Sequence, residues 1–284
     1  MLLQIASDLH LDHRHGVPFD GLLRPAGDTL ALVGDIAPLY DPRYGDFLAW
    51  CSARWRHVLL VAGNHEYYSV DPRVDMAAAE ARIRRLTSLL PNVRFLQNGA
   101  ADVDGVRFLG TTLWTHVPPA DAGSVWSRIR SYRSIYTAPR QKLTVDHTNT
   151  LFDRGRAFVE AGVAAAQSEG LWPVVLTHHA PTAAGTMRPG YGEDGVRSAF
   201  ATEIEMPHGS IQLWVCGHTH HNFDIPAGAG AGAGAPAGPG CRIIANQMGY
   251  PGEAIDGYSP TCTVEVLPHR PRAGGLKRAH CTDA

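Results

Sequence analysis

The side chains able to do chemistry in this chain are carboxylates, amides and imidazoles that fall directly after apolar runs. Asp8 and His10 follow Leu2-Leu3-Gln4-Ile5-Ala6, and Asp35 follows Thr29-Leu30-Ala31-Leu32-Val33 and a glycine. Asn64 and His65 follow Val58-Leu59-Leu60-Val61-Ala62 and a glycine. His178 and His179 follow Val174-Val175-Leu176-Thr177, and His218 and His220 follow Gln212-Leu213-Trp214-Val215-Cys216 and a glycine. Asp, Asn and His together suit divalent cations of intermediate hardness. In an open α/β sheet, ligands bind outside the carboxyl ends of the strands. One sheet holding these five strands would aim all these groups at one place, so the pattern predicts a metal centre. The glycines before Asp35, Asn64 and His218 allow sharp turns and close backbone approach there.

The elements that must position these groups alternate between strand and helix, the pattern of an α/β fold. Helices are predicted over about 45–54, 75–90 and 145–168, the second stopped by Pro91. Val93–Gln97, Ala101–Val103 and Val106–Gly110 read as short strands, with Asp104-Gly105 as a hairpin turn. Residues 115–143 have no clear period and read as an irregular excursion with at most short helices. Such long loops in compact domains often serve as lids or binding segments. Trp126, Arg128, Arg130, Tyr132, Arg133 and Tyr136 lie in it and suit stacking or phosphate pairing. The Ala/Gly/Pro stretch 226–240 lies between two strand-like runs and reads as an enlarged hairpin loop, since lengthening a surface loop costs little. Its glycines lack the spacing of a phosphate-binding loop. The tail 269–284 reads as disordered.

Composition narrows the function. At 284 residues, with 44% hydrophobic and 18% charged residues, the chain can bury a large core. A net charge of −2 gives no basic excess for strong nucleic-acid binding, which argues against a nuclease. No apolar run approaches the ~18 residues that span a bilayer. The N-terminus has no signal-peptide pattern, and the five cysteines are scattered without a Cys-x-x-Cys pair, which points to reduced thiols in a cytoplasmic protein.

Taken in order, Asp8-x-His10, Gly34-Asp35, Gly63-Asn64-His65-Glu66, Thr177-His178-His179-Ala180-Pro181 and Gly217-His218-Thr219-His220 resemble the blocks of the calcineurin-like metallophosphoesterase superfamily. The resemblance runs from residue 1 to about 266. Gly110-Thr111-Thr112-Leu113-Trp114 and Asn246-Gln247-Met248-Gly249-Tyr250-Pro251 look like a bacterial branch of predicted phosphohydrolases. It implies one domain over 1–268, built as a four-layer αββα sandwich of two mixed sheets flanked by helices, with a dinuclear metal site at the C-terminal ends of strands.

The resemblance also implies roles. Asp35 would bridge two metal ions; Asp8, His10 and His220 would complete one site, and Asn64, His178 and His218 the other. His65 would sit beside the phosphate as a general acid or electrostatic donor. The ions would be two of Mn, Fe, Zn or Co, and a metal-bridging hydroxide would attack a small phosphate ester. Two such ions, two carboxylates and one hydroxide leave about +1, which favours an anionic ester. A phosphodiesterase on small or nucleotide-like substrates is the preferred reading, with a phosphomonoesterase next and a non-catalytic protein-binding scaffold as the contrasting class.

His179, His116, Tyr132 and Arg133 are candidate substrate contacts, and Tyr67 and Tyr68 are similar. His13, His15, His57, His147, His208, His221, His269 and His280 have no comparable setting and read as surface or core histidines. The sequence departs from the family at Pro38, where many members carry an Asp that orients the histidine equivalent to His65. Asp41, Glu66 or another residue would have to take that place.

Overall fold

Three consecutive strand–loop units open the chain: β1 (Leu2–Ala6), β2 (Thr29–Val33) and β3 (His57–Val61). These are nearly continuous apolar runs, as expected of parallel strands covered on both faces. They pair in parallel, Leu3 with Thr29 and Leu30 with Val58. The computed structural model describes residues 1–192, 195–207, 209–228 and 240–268. The tail, His208, His269, His280 and residues 229–239 of the low-complexity loop lie outside the described residues.

The five ligand-bearing strands do not share one sheet. With β4 (Val93–Phe95) and an antiparallel β13 (Thr263–Glu265), the first three form a five-stranded sheet in the order β13-β1-β2-β3-β4. The second sheet has six strands. It comprises β5 (Gly99–Val103), β6 (Val106–Thr111), β9 (Val174–Thr177), β10 (Leu213–Val215), β11 (Phe223–Ile225) and β12 (Arg242–Ala245). Its order is β11-β12-β10-β9-β6-β5. The chain therefore sends β1, β2 and β3 to one sheet and β9 and β10 to the other.

Alternation within each strand explains the sandwich. Leu3, Ile5, Ala31, Val33, Leu59 and Val61 face Phe108, Val174, Leu176, Leu213, Val215 and Ile244 in one buried cluster between the sheets. The intervening residues, such as Leu30, Leu32, Val58, Leu60, Val175 and Trp214, join a second cluster beneath the helices. Helices α1 (Arg43–Ser52) and α2 (Met76–Ser88) pack on the first sheet, and α5 (Val145–Ser168) packs on the second. This is a four-layer αββα arrangement of two mixed sheets. The Asp75 carboxylate caps α2 by accepting from the Ala78 N–H, and Thr144 caps α5 through the His147 N–H. Asp104 and Gly105 both take positive φ, 48° and 79°, as a tight two-residue hairpin turn requires.

The excursion 115–143 is more ordered than its sequence pattern predicts. It holds α3 (Ala122–Arg128), α4 (Ser131–Ser134) and a hairpin of β7 (Tyr136–Ala138) and β8 (Gln141–Lys142). Strands of two or three residues are too short to show a period. Among the described residues no helix is long and apolar enough to cross a membrane.

Candidate metal centre

The two sheets present their strand ends at a common edge, and the loops after β1, β2, β3, β9 and β10 meet there. Asp8, His10, Asp35, His218 and His220 all take positive φ, between 44° and 68°. Non-glycine residues hold this conformation at a cost, and such strain clusters at functional sites. Two glycines make the approach possible. Gly34 has φ 93°, and a Cβ there would stand 2.5 Å from His178 Nδ1, while a Cβ on Gly63 would overlap Asp35 Oδ1.

Three groups of ligand atoms lie close enough to hold metal ions: Asp8, His10 and His220; Asp35, His178 and His218; and His10, Asp35 and His65. Asp35 and His10 each belong to two groups, so the groups form one continuous centre. His10 Nε2 stands 3.0 Å from His220 Nε2, and His178 Nε2 stands 3.2 Å from His218 Nδ1 and 3.0 Å from Asn64 Oδ1. Asp35 Oδ1 is 3.4 Å from His178 Nε2, and Asp8 Oδ1 is 3.4 Å from His220 Nε2.

The far sides of these rings determine which nitrogen is offered. His178 Nδ1 donates to the Val33 carbonyl at 2.9 Å, and His220 Nδ1 to Glu253 Oε2 at 2.6 Å. With Nδ1–H engaged, each ring turns Nε2 toward its neighbours and can offer a lone pair there once that nitrogen has lost its proton, the usual outer arrangement of metal-binding histidines. Lone pairs converging at 3.0–3.2 Å, beside two buried carboxylates, fit a divalent cation. The carboxylates are also held: His218 N–H donates to Asp8 at 3.1 Å, and His65 N–H to Asp35 Oδ1 at 2.8 Å.

Charge is tuned accordingly. Burial, then neighbouring histidines, hold His10 and His218 well below the ordinary histidine value, so both are neutral. Burial also opposes charging of His178 and His220. The Asp35 carboxylate outweighs it at His178, which rises to about 9, and hydrogen bonds to Asp8 and Glu253 raise His220 to about 10. Burial would raise Asp35, but His178 and His65 hold it well below the carboxylate range.

His65 lies in the centre with its ring between His10, at 4.6 Å, and Tyr68, at 4.2 Å. Its Nε2 contacts the Tyr250 hydroxyl at 2.9 Å and Asp35 Oδ2 at 3.8 Å. Its Nδ1 is buried without a hydrogen-bond partner, and burial lowers its pKa. Neither carboxylate considered as its orienting partner takes that place. Asp41 accepts from the Arg43 N–H at 2.8 Å. Glu66 is fully buried and accepts three backbone N–H bonds, from Gly63 at 2.7 Å, Asp35 at 3.0 Å and Ile36 at 2.8 Å. It ties the end of β2 to the end of β3.

The substrate candidates are placed unevenly. A cavity of about 220 Å³ opens over Asp35, Asn64, His65, His218 and His220, and none of His179, His116, Tyr132 and Arg133 lines it. His179 is buried, stacks on Trp114 and contacts the Thr112 carbonyl through Nδ1. His116 is exposed, with its ring 6.1 Å from Phe152. Tyr132 is buried and bonds Thr148 at 3.1 Å. The Arg133 guanidinium donates to the Ser127 and Arg128 carbonyls. The cavity walls instead include Arg128, Arg130, Arg188, Tyr191, Phe200, Tyr250 and Glu253.

Arg188 and Glu253 stand in aperiodic loops and carry no sequence signal. Tyr250 belongs to the Asn246-to-Pro251 motif, whose Asn246 and Gln247 are structural. Gln247 Oε1 accepts from the His220 N–H at 2.7 Å, and Asn246 Nδ2 donates to the Ile5 carbonyl at 2.8 Å. The motif thus joins the two sheets beside the centre.

The chain is 24% identical over 286 residues to "Uncharacterized protein L509" of Acanthamoeba polyphaga mimivirus, covering 93% of this chain and 96% of that one. A solved crystal structure aligns with a TM-score of 0.42 and 12% identity, covering 88% of this chain and 90% of that one. The model of the calcineurin-like phosphoesterase family matches residues 5–222. That match takes in every strand end that carries a ligand, and the chain belongs to the calcineurin-like phosphoesterase family, hydrolases of phosphoester bonds that use divalent metal ions.

Proposed function

We propose that the chain hydrolyses small phosphodiesters, nucleotide-like ones included, at a two-ion centre bridged by Asp35. Asp8, His10 and His220 would hold one ion, and Asn64, His178 and His218 the other. The observation that carries this reading is Asp35 itself, whose carboxylate is shared between two groups of ligand atoms. When bound, the two ions supply Lewis-acid charge and an activated water.

The chain's own residues supply the rest. Asp8 and Asp35 are fixed by backbone N–H groups, so the centre needs little rearrangement on loading. His65, neutral and aimed at the centre through Nε2, is suited to donate a hydrogen bond to a phosphoryl or leaving-group oxygen. Tyr250, whose ring stacks on His10 at 4.1 Å, keeps that imidazole in line. A cavity that extends past the ligands to the 128–131 segment and to Arg188, Tyr191 and Phe200 leaves room for a second ester arm, which favours diesters over monoesters. The buried thiols of Cys51, Cys216 and Cys241 fit a reducing, cytoplasmic setting.

The test is elemental analysis of protein reconstituted with Mn, Fe, Zn or Co, with rates on bis-aryl and mono-aryl phosphates. About two ions per chain and faster diester turnover are expected, and Asp35→Ala should lose both metal and activity. One ion per active chain would overturn the two-ion assignment. Faster monoester turnover would make the protein a phosphatase, and inactivity of fully loaded protein would point to a scaffold.

A further inference from the structure

We propose that the cavity recognises a second phosphate on the substrate, bound by Arg130 and Arg188. This rests on the phosphoesterase reading above. Both arginines line the cavity, and each is tied to a different part of the centre. The Arg130 guanidinium lies over the Tyr68 ring, with Cζ 5.4 Å from the centroid, and the Tyr68 hydroxyl contacts Asn64 Nδ2 at 2.9 Å. The next residue, Ser131, also touches Asn64, at 3.4 Å. Arg188 reaches the other side. Its Nη2 donates to the carbonyls of His220, at 3.2 Å, and Ala254, at 3.3 Å, and its remaining nitrogens make no hydrogen bond among the described residues.

Neither guanidinium has a carboxylate within 4.0 Å among the described residues. Arg107 and Arg242 show the contrast, with carboxylates at 2.8 and 2.7 Å. Glu253 shares the cavity with Arg188, but its carboxylate accepts from His220 Nδ1. The centre with its ions carries about +1, enough for the single charge of a diester. Two more cations at the cavity wall exceed that need. A guanidinium presents a planar fork of donors that matches a phosphate, and here both are held by a ring face or by carbonyls that leave part of the fork open. A ligand with one phosphate at the centre and another on its sugar or alcohol arm would use both.

The test compares two esters that differ only in this group: thymidine 5′-(p-nitrophenyl phosphate) with and without a 3′-phosphate, cleaved by Mn-loaded protein. The leaving group and base are the same, so the ratio of kcat/KM values reports the added phosphate. Charged hydrogen bonds predict a preference of at least about tenfold for the bisphosphate, mainly through KM. In Arg130→Gln and Arg188→Gln the ratio should fall toward one, and Arg130→Lys should restore part of it. Thermal melting confirms that each variant is folded.

A parallel measurement, calorimetric binding of thymidine 3′,5′-bisphosphate against thymidine 5′-monophosphate, should show the same preference and the same losses. A ratio near one in the unaltered protein overturns the proposal. So do equal losses on both esters, which would mean that the arginines hold the reacting phosphate. If neither ester is cleaved, the phosphoesterase reading fails, and the binding ratio still decides whether a second phosphate is recognised.

Discussion

Replacing Glu66 by glutamine should weaken the fold and the metal centre together. Glu66 Oε2 accepts from the N–H groups of Gly63 and Asp35, and Oε1 accepts from that of Ile36. Burial and the neighbouring Asp35 carboxylate push its pKa up to about 8, and His178 and the N–H groups of Ile36 and Asp35 oppose that rise. Glutamine has the same shape but one acceptor oxygen. If that oxygen keeps the pair from Gly63 and Asp35, the amide NH₂ meets the Ile36 N–H, donor against donor. One buried donor left unsatisfied costs about 1–3 kcal/mol. At roughly 2–4 °C per kcal/mol for a large domain, Tm should drop by about 2–12 °C. The clamp joins the backbone of Asp35 to that of the residue before Asn64, so metal affinity should fall by about 10–100-fold, the usual effect of losing a group that orients a ligand. Thermal melts of metal-free and Mn-loaded protein, with chelator competition for affinity, measure both. A variant that melts within about 1 °C of the parent and binds metal equally well would show that Glu66 does not hold the strand ends.

Gly63→Ala places a Cβ on Asp35 Oδ1, so bound metal should fall well below that of the parent, whereas Gly123→Ala, with open space around it, should keep its metal content. His65→Ala should retain metal and lose about 10²–10³-fold in kcat, the cost of one aligned donor. The loss should be equal for good and poor leaving groups, because the ring is held neutral by burial. A loss that shrinks with better leaving groups would identify proton transfer, and loss of metal would make His65 a ligand. Metal-free His178 and His220 titrate near 9 and 10, so both carry protons at pH 7 and must release them to bind metal. Loading at pH 7 should therefore release about two protons, and metal affinity should weaken as pH falls. Calorimetry in buffers of different ionisation enthalpy counts them, and no release would contradict the raised pKa values of His178 and His220.

The parts of this protein legible in its sequence are those set by local pattern. Continuous apolar runs marked β1, β2, β3, β9 and β10, because strands buried on both faces admit little else. The helix over Val145–Ser168 followed from its amphipathic period. Asp8, His10, Asp35, Asn64, His178, His218 and His220 stood at the strand ends, and the structure brings all seven together.

Tertiary structure decided what depends on distant neighbours. No local signal says that β9 and β10 enter a different sheet from β1, since either sheet accepts the same apolar strands. Nor does local sequence separate Arg130, which faces the cavity, from Arg133, three residues on, which donates to carbonyls of its own loop. Glu66 reads as a possible partner of His65 until Asp35 and Ile36, some thirty positions earlier, turn their N–H groups toward it. Tyr250 meets His65 across 185 positions. The Glu66 contacts need β2 set beside β3, and the Tyr250–His65 contact exists only once the two sheets have packed face to face, because that packing brings their strand ends to one edge.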